Sequence, residues 1–336
     1  MKAITYTRYG SPDVLRLQEL AMPVAAEGEL LVRIHAASVT AADGMMRAGT
    51  PRIGRLFLGV LRPKNPVPGT GFAGEVVACG AGVRQYQTGD RVFGETVFGF
   101  GSNAQYLRVA ESGVIAHLPD NVSYEAAAPV CDGPLTGMNF LHNLAGIQAG
   151  QRVLINGASG SLGSAAVQIA RLAGAHVTAV CSAGNAGMVR DLGADQVIDY
   201  TREDFTASAQ RWDVIYDTVG KSSFSRCKPV LNIGGQYLSP VLGFALLWQM
   251  LWSARFGNKK AKFSATGVLP VAELRRLLSQ LHGMYASGAL RSFIDRRYDL
   301  SGAAEAHRYV ATGRKRGNVV LCITHEAAGT GGSAAA

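Results

Sequence analysis

Hydrophobic and polar positions follow two different patterns along the chain, and the change falls near residue 122. Up to about Asn121, short β-branched runs such as Leu30-Leu31-Val32-Arg33-Ile34 are separated at close intervals by Gly, Pro and Asp. Short strands with frequent turn signals are typical of antiparallel sheets. The first part of the chain is therefore predicted to form a small, mostly antiparallel barrel.

From Ser123 onward, strand-like runs alternate with helix-like ones. Helices are predicted at 124–145, 161–173, 186–192 and 271–287, and strands at 152–156, 176–181, 196–198, 214–217, 236–238 and 318–323. Such alternation predicts a parallel sheet with right-handed crossovers. The last strand is expected to return to the barrel, which places one domain at 1–122 with 266–325 and the other at 123–265. The Gly/Ala/Ser tail at 327–336 is expected to be disordered.

Composition and charge set limits on compartment and partners. The five cysteines are far apart and form no Cys-x-x-Cys pair, and the first residues do not resemble a secretory leader, so a reducing, cytoplasmic location is expected. The net charge of +9 would suit a polyanion, but the basic clusters at 255–262, 291–297 and 314–316 are not interleaved with stacking aromatics. We expect no nucleic-acid partner and interpret these clusters mainly as solvated faces.

A glycine turn carries the clearest functional signal. The strand Arg152–Asn156 leads into Gly157-Ala158-Ser159-Gly160-Ser161-Leu162-Gly163, which opens a helix. In a dinucleotide-binding turn, one glycine lets the backbone approach the pyrophosphate, another lets the helix pack on the strand, and the helix N-terminus faces the anion. One glycine position of the fingerprint holds Ala158. A turn made only for packing is the alternative, but the flanking strand and helix favour a dinucleotide cofactor.

The end of the next strand indicates which dinucleotide is bound. NAD-binding units place an Asp or Glu there to accept from the ribose 2′-hydroxyl, whereas this chain has Val180-Cys181-Ser182-Ala183-Gly184. Because a carboxylate would repel a 2′-phosphate, its absence favours NADPH, with Ser182 as a donor. The alternative is that Ser182 caps the following helix.

Segments spread over residues 1–325 resemble the medium-chain dehydrogenase/reductase superfamily, in its zinc-independent quinone oxidoreductase branch. They include 36–43 with 47–49, 68–77, 89–92, 155–160, 192–200 and 313–320. The resemblance implies a GroES-like β-barrel catalytic domain, a doubly wound parallel-sheet (Rossmann) domain and a homodimer. Zinc-dependent members have a Cys where this chain has Thr40 and a His where it has Thr70, so no catalytic metal is expected.

The resemblance also implies a set of cofactor and catalytic residues. Cofactor contacts are expected at Thr136, Ser159, Gly160, Ser161, Leu162, Gly163, Ser182, Tyr200, Thr218, Val219 and Asn318. Tyr200 would bind the 2′-phosphate or be a half-buried strand-end residue, and the Lys or Arg that relatives often have near Gly184 is missing. The catalytic candidates are the Thr40 hydroxyl as a donor, supported by Asp43 and Arg47, with a structural Asp43–Arg47 ion pair as the alternative.

These expectations favour hydride transfer to a small apolar quinone or α,β-unsaturated carbonyl, whose anionic product is delocalised and needs little help from the protein. A carbonyl or alcohol reductase without zinc is one alternative. The other is a non-catalytic NADPH- or RNA-binding protein that is similar to the ζ-crystallins.

The apolar segment 243–256 admits three interpretations. Its run of about 12 apolar residues is shorter than the about 20 that a membrane-spanning helix needs. A mobile lid would place Trp248 and Trp252 against the substrate, whereas a core or dimer-interface helix would bury them. Together with the basic residues that follow, 243–262 would also suit weak association with a membrane surface.

Overall fold

A computed structural model describes residues 1–97 and 99–325, so the tail predicted at 327–336 lies outside the described residues. The strands are β1 (Lys2–Thr5), β2 (Arg16–Glu19), β3 (Glu29–Val39), β4 (Gly71–Cys79), β5 (Arg91–Glu95), β6 (Tyr106–Ala110), β7 (Val114–His117), β8 (Arg152–Asn156), β9 (His176–Cys181), β10 (Gln196–Asp199), β11 (Trp212–Asp217), β12 (Leu231–Ser239), β13 (Lys260–Phe263), β14 (Ile294–Asp299) and β15 (Asn318–Cys322).

The helices connect these strands and cover the sheets. They are α1 (Ala41–Ala48), α2 (Arg55–Leu58), α3 (Tyr124–Ala127), α4 (Gly133–Met138), α5 (Ser161–Leu172), α6 (Ala186–Asp191), α7 (Phe224–Cys227), α8 (Phe244–Phe256), α9 (Val271–Ala286) and α10 (Ala303–Ala311).

The first sheet has the order β14-β15-β3-β4-β5-β7, and β6 also pairs with β3. Its pairs are antiparallel except for β14 and β15, which run parallel. The last strand β15 pairs with β3, so the C-terminal end of the described chain returns to this sheet. Alternate residues of these strands form a separate apolar core that includes Val32, Ile34, Phe72 and Val92.

The second sheet is parallel throughout and has the order β10-β9-β8-β11-β12-β13. The chain adds strands outward from β8 in one direction and then, with β11, in the other. Such a sheet has a crevice at the carboxyl ends of its two central strands, where doubly wound proteins bind ligands. The predicted fold class, a GroES-like domain with a Rossmann-type parallel sheet, is confirmed.

The structure differs from the sequence prediction in three places. The helix predicted at 124–145 is interrupted, because Pro129 and Pro134 cannot donate backbone hydrogen bonds; a 3₁₀ turn joins α3 to α4, and a π-helical stretch follows over Asn139–Leu144. Strand β13 was missed although Ala261 and Phe263 alternate with two lysines. Strand β14 and helix α10 were also missed.

Within residues 1–97 and 99–325, the helices are all too short or too polar to cross a membrane.

Candidate functional site

The glycine turn between β8 and α5 has the geometry that a dinucleotide requires. The N–H groups of Gly157 and Ala158 both donate to the Val180 carbonyl at 3.0 Å, and Gly160 caps the N-terminus of α5. A Cβ on Gly163 would lie 2.2 Å from the Gly157 carbonyl oxygen, which is sterically impossible, so only glycine allows this packing of helix on strand. The first N–H groups of α5 are left for an anion.

A cavity of about 780 Å³ opens in front of this turn, at the carboxyl ends of β8, β9, β10 and β11. Five of the predicted cofactor residues line it: Ser159, Gly160, Ser182, Tyr200 and Val219. They come from four separate segments, and the parallel sheet brings them together because its strands all end at the same edge. The glycine turn and this cavity fit a dinucleotide.

The alternatives for Ser182 and Tyr200 do not hold. Ser182 precedes a short 3₁₀ turn but its side chain makes no capping hydrogen bond; instead it accepts from Asn185 Nδ2 at 3.2 Å. The same Asn185 amide donates to Ser159 at 3.1 Å, which links the glycine turn to the end of β9. Tyr200 is 62% exposed rather than half-buried, and its ring borders the cavity.

Basic residues from distant segments also line the cavity, and the sequence reasoning missed them. Lys221 follows β11, and Arg314 and Lys315 precede β15. The cluster at 314–316 is therefore not only a solvated face. A carboxylate, Glu203, borders the cavity as well, and the ion pair between Arg226 and Asp204 lies at its edge with an N–O distance of 2.7 Å. Cations from distant segments therefore border the cavity, although no Lys or Arg lies next to Gly184 in the sequence.

The other predicted cofactor residues do not line this cavity. Ser161 Oγ lies 2.8 Å from Asp132 Oδ2 and 2.6 Å from Asn318 Oδ1, and Asn318 Nδ2 donates to the Phe293 carbonyl. Thr218 Oγ1 donates to the Asn156 carbonyl at 2.7 Å. Leu162 is half-buried in the first turn of α5, and Thr136 is half-buried on α4. The contact between Ser161 and Asn318 joins the two domains beside the glycine turn.

Asp217, which the sequence reasoning did not single out, organises the loop after β11. It is fully buried, and its carboxylate accepts from the backbone N–H groups of Val219, Gly220 and Ser222 and from the Tyr237 hydroxyl. An aspartate at the carboxyl end of a predicted parallel strand was the signal that the sequence offered. Its role is to hold the cavity wall that Val219 forms.

The catalytic candidates Thr40 and Asp43 form a capping box at the start of α1. The Thr40 N–H and hydroxyl both donate to Asp43 Oδ2 at 2.8 Å, and the Asp43 N–H donates back to Thr40 Oγ1 at 3.0 Å. Asp43 is buried and its Oδ1 has no hydrogen-bond partner. Burial raises the pKa of Asp43 to about 7, although the Thr40 hydrogen bonds oppose that shift. The hydroxyl hydrogen of Thr40 is therefore already donated.

Arg47 does not support Asp43 by an ion pair. Its Nε donates to the Gly10 carbonyl at 3.2 Å, its Nη1 has no partner, and no Asp43–Arg47 contact within 4 Å is found in the described part of the chain. Burial lowers the pKa of this arginine, and Arg47 in turn contributes to the low pKa of the buried His307. The structural ion pair considered from the sequence is absent from the described residues.

The strand register brings the catalytic candidates close to the cofactor residues. Val39 pairs with Val319, which places Thr40 beside Asn318 at the end of the β3–β15 ladder. The next residue toward the N-terminus, Gly317, donates its N–H to the Ser159 carbonyl at 2.7 Å. The end of β3 and the glycine turn therefore meet at one point of the cleft between the domains.

Among residues 1–97 and 99–325, no group of three or more His, Cys, Asp or Glu side chains has the arrangement needed to hold a metal ion. Thr40 and Thr70, at the two positions compared with zinc ligands, carry hydroxyl groups.

Helix α8 accounts for the apolar segment 243–256. Leu246 and Ser253 are buried, but Phe244, Trp248 and Trp252 are 96, 69 and 60% exposed. A helix in the core of the chain is therefore the wrong interpretation. Val241, just before the helix, packs on the loop beside the cavity, because a Cβ on Gly220 would lie 2.7 Å from its side chain and the neighbouring Val219 lines the cavity.

Known proteins resemble the chain over nearly its whole length. Two family models match: an alcohol dehydrogenase GroES-like domain over residues 26–120 and a zinc-binding dehydrogenase over residues 192–321. A chloroplastic quinone-oxidoreductase homolog of Spinacia oleracea is 29% identical over 96% of this chain and 98% of its own length. A 2-methylene-furan-3-one reductase of Solanum lycopersicum is 32% identical over 96% of this chain and 79% of its own.

Solved structures show the same similarity. The quinone oxidoreductase of Escherichia coli complexed with NADPH superposes with a TM-score of 0.82 and 25% identity, over 96% of this chain and 100% of the other. These relatives thus match the chain in fold, in the order of the two domains and in sequence.

Proposed function

The chain belongs to the medium-chain dehydrogenase/reductase superfamily, in its quinone-oxidoreductase-like branch, and from that premise we propose that it reduces a quinone or an α,β-unsaturated carbonyl with NADPH. Its relatives support an oxidoreductase with a nicotinamide cofactor. The use of NADPH is supported mainly by the cavity at the glycine turn, which has hydroxyl donors and cations at its wall and no acidic residue directly after β9.

The cavity residues support NADPH over NADH. A 2′-phosphate carries up to two negative charges, which Lys221, Arg314 or Lys315 would attract and which the hydroxyls of Ser182 and Tyr200 would hydrogen-bond. The backbone N–H groups at the start of α5 would hold the pyrophosphate. Glu203 opposes a further negative charge, so we expect a moderate preference rather than an absolute one.

The residues around Thr40 support a substrate that needs no metal. The bound dihydronicotinamide would supply a hydride. A quinone or enone accepts it by moving charge to an oxygen that is conjugated with the acceptor carbon, and a single hydrogen-bond donor can stabilise that charge by a few kcal/mol. Thr40 and Asp43 lie where the two domains meet, and the Thr40 hydroxyl would donate to this oxygen on turning away from Asp43 Oδ2.

We also propose that the protein is a cytoplasmic homodimer. The parallel sheet ends at β13, whose outer edge pairs with no other described strand. Natural proteins usually cover such an edge, and a second copy would do so. Sedimentation analysis should give twice the chain mass of 35.4 kDa, and a single-chain mass at micromolar concentration would contradict the proposal.

The test of the proposed reaction is NADPH oxidation by the purified protein with three substrate classes: quinones, alkenals and saturated aldehydes. Turnover with quinones or alkenals, unaffected by a chelator, is the expected result. Turnover with saturated aldehydes alone would show a carbonyl reductase instead. A matched variant, Gly163→Ala, should lose this activity together with NADPH binding, which excludes a contaminating enzyme.

A further inference from the structure

Glu95 is the last residue of β5, and no role is assigned to it above. It pairs with Gly71 at the start of β4, and the N–H of the next residue, Thr96, donates to the Thr70 carbonyl at 3.0 Å. Glu95 is therefore held in a fixed position by two strands rather than by a loop.

The strand register shows which face of the sheet Glu95 occupies. Ala37 pairs with Phe72, so Ser38 lies opposite Gly71, and a Cβ on Gly71 would come within 2.4 Å of Ser38 Oγ. Residues directly opposite in an antiparallel sheet share a face, as do alternate residues of one strand. Ser38, Thr40 and Glu95 are consequently on the same face.

The nucleotide-binding domain covers this face. The same Cβ position on Gly71 lies 2.7 Å from the Ala128 carbonyl oxygen, so the 3₁₀ turn Ala128–Cys131 packs directly on the sheet where Gly71 has no side chain. The turn leads into Asp132, whose carboxylate contacts Ser161 at the N-terminus of α5. Glu95 is thus on the face of the sheet that the nucleotide-binding domain covers.

Glu95 has the chemistry of a proton donor, which Thr40 lacks. In the described part of the chain its carboxyl group has neither a hydrogen-bond partner nor a cation within 4 Å. Burial, and then the charges of Asp132 and Asp43, raise the pKa of Glu95 to about 8. At neutral pH the group holds its proton, and a protonated carboxyl is a hydrogen-bond donor.

The charged groups that face Glu95 come from two elements and are both acidic. Asp43 belongs to α1 and Asp132 to the turn before α4. The half-buried Lys315 interacts with Asp132, but its ammonium donates to the Gly317 carbonyl at 2.7 Å, and no effect of Lys315 on Glu95 is found. Each ionisation in this cluster therefore disfavours the next, which keeps Glu95 neutral.

We propose that Glu95 is the catalytic acid, which protonates the substrate at the oxygen or α carbon that becomes electron-rich during reduction. This inference rests on the proposed function. As the β carbon of an enone gains a hydride, the C=C electron pair forms a double bond between the α carbon and the carbonyl carbon, and the C=O π pair moves to the oxygen, which gives an enolate. The Glu95 O–H bond breaks, its proton passes to the enolate, and the resulting carboxylate regains a proton from water.

Glu95→Gln tests this proposal, because glutamine keeps the shape and cannot give up a proton. With an alkenal, kcat/KM should fall by about 100-fold or more while the Kd for NADPH stays unchanged. Wild-type activity should decline as pH rises through about 8, and this alkaline limb should be absent in Glu95→Gln. Glu95→Asp should restore part of the activity and the limb. Glu75→Gln, which removes a surface ion pair with Arg33 in the neighbouring strand, is the matched control.

A second measurement needs no turnover. The infrared difference spectrum between pH 7 and pH 9 should contain a carboxylic acid C=O band that disappears in Glu95→Gln and persists in Asp43→Asn. Full activity with an unchanged alkaline limb in Glu95→Gln, or an infrared band unaffected by that substitution, would overturn the assignment.

Failure of the proposed substrate class is distinguishable from failure of this inference. If the wild type reduces saturated aldehydes alone, the substrate proposal is wrong, but the product alkoxide still needs a proton and the same Glu95→Gln comparison decides the role of Glu95. If the wild type does not oxidise NADPH with any quinone, enone or aldehyde, both the proposed function and the proposed role of Glu95 are overturned.

Discussion

The two ends of the cleft between the domains satisfy their polar groups in opposite ways. At the proposed cofactor end, Asp217 accepts five hydrogen bonds and Ser161 joins Asp132 and Asn318, so these polar groups around the glycine turn have partners. At the substrate end, Asp43 Oδ1 and Arg47 Nη1 are buried without partners, and Glu95 has a raised pKa.

The satisfied polar groups should make the cofactor end rigid, whereas the unsatisfied groups leave the substrate end suited to binding a ligand or transferring a proton. A buried polar group without a partner costs about 1–3 kcal/mol, and such groups are tolerated where a ligand or a proton transfer needs them. The cofactor end should therefore respond to substitution mainly by losing structure and binding. The substrate end should respond mainly by changing its pH dependence.

The strongest test of the rigid end is Gly163→Ala. The added methyl group would lie 2.2 Å from the Gly157 carbonyl oxygen and 2.6 Å from Ala158 Cα, and both are backbone atoms that move only with the turn itself. We expect loss of NADPH binding by at least about 100-fold, or failure of the nucleotide domain to fold. Isothermal titration and a thermal melt measure the two outcomes.

Gly187→Ala is its control, since a Cβ at that position in α6 meets no atom within 4 Å. This variant should bind NADPH like the wild type. Normal binding by Gly163→Ala would show that the turn is more compliant than its contacts indicate.

The buried acidic groups of the substrate end should make the protein less stable as pH rises. Asp43 and Glu95 have folded-state pKa values of about 7 and 8, above their ordinary values of 3.8 and 4.5. A raised folded-state pKa stabilises the protein fully below the ordinary value, and that stabilisation is lost as pH rises through the folded-state value. Between pH 6.5 and 9 the free energy of unfolding should fall on the order of 2 kcal/mol.

The range starts at pH 6.5 so that His307 does not contribute. Its folded-state pKa is lowered to about 3, so below about pH 6.5 it would make the free energy of unfolding rise with pH instead of fall. Denaturant midpoints of Asp43→Asn and Glu95→Gln should each depend less on pH than those of the wild type. An unchanged slope in both variants would mean that other groups control it.

The sequence predicted the cofactor end far better than the substrate end, for a physical reason. A glycine turn between a strand and a helix is a local pattern, so Gly157, Gly160 and Gly163 are recognisable from neighbouring residues. Glu95 is placed on the covered face of the first sheet by pairing with Gly71, and Arg314 and Lys315 reach the cavity because β15 returns to the first domain. Such positions depend on long-range register, which local patterns do not contain.

Substitutions that alter the preference for NADPH over NADH should have smaller effects than those above, because several weak contacts contribute to that preference. We expect NADPH to be preferred over NADH by at least about tenfold in kcat/KM, which corresponds to about 1.4 kcal/mol. Gly184→Arg should widen the preference, since a Cβ there meets nothing within 4 Å and the new cation can reach the cavity next to Ser182. Lys221→Ala should narrow it. Equal efficiency with both cofactors in the wild type would contradict the prediction.

The smallest effect on stability is expected in α8, and its two ends provide an internal comparison. The helix begins at the carboxyl end of β12, where Val241 packs on the loop beside the cavity, and a parallel crossover then carries the chain back toward the amino end of β13. Phe244 therefore lies near the cleft and Phe256 lies about 18 Å farther along the helix. Both side chains are mostly exposed, at 96 and 69%.

Replacing either phenylalanine with alanine should change the free energy of unfolding by about 0.5 kcal/mol or less, because little buried area is lost. If the start of α8 forms the apolar wall of the substrate site, Phe244→Ala should raise KM for a bulky apolar quinone more than for a small one, and Phe256→Ala should raise neither. Trp248→Ala should give an intermediate result. Equal KM values for all three variants would assign α8 to a contact outside the cleft, and a loss of the dimer in sedimentation would identify that contact as the subunit interface.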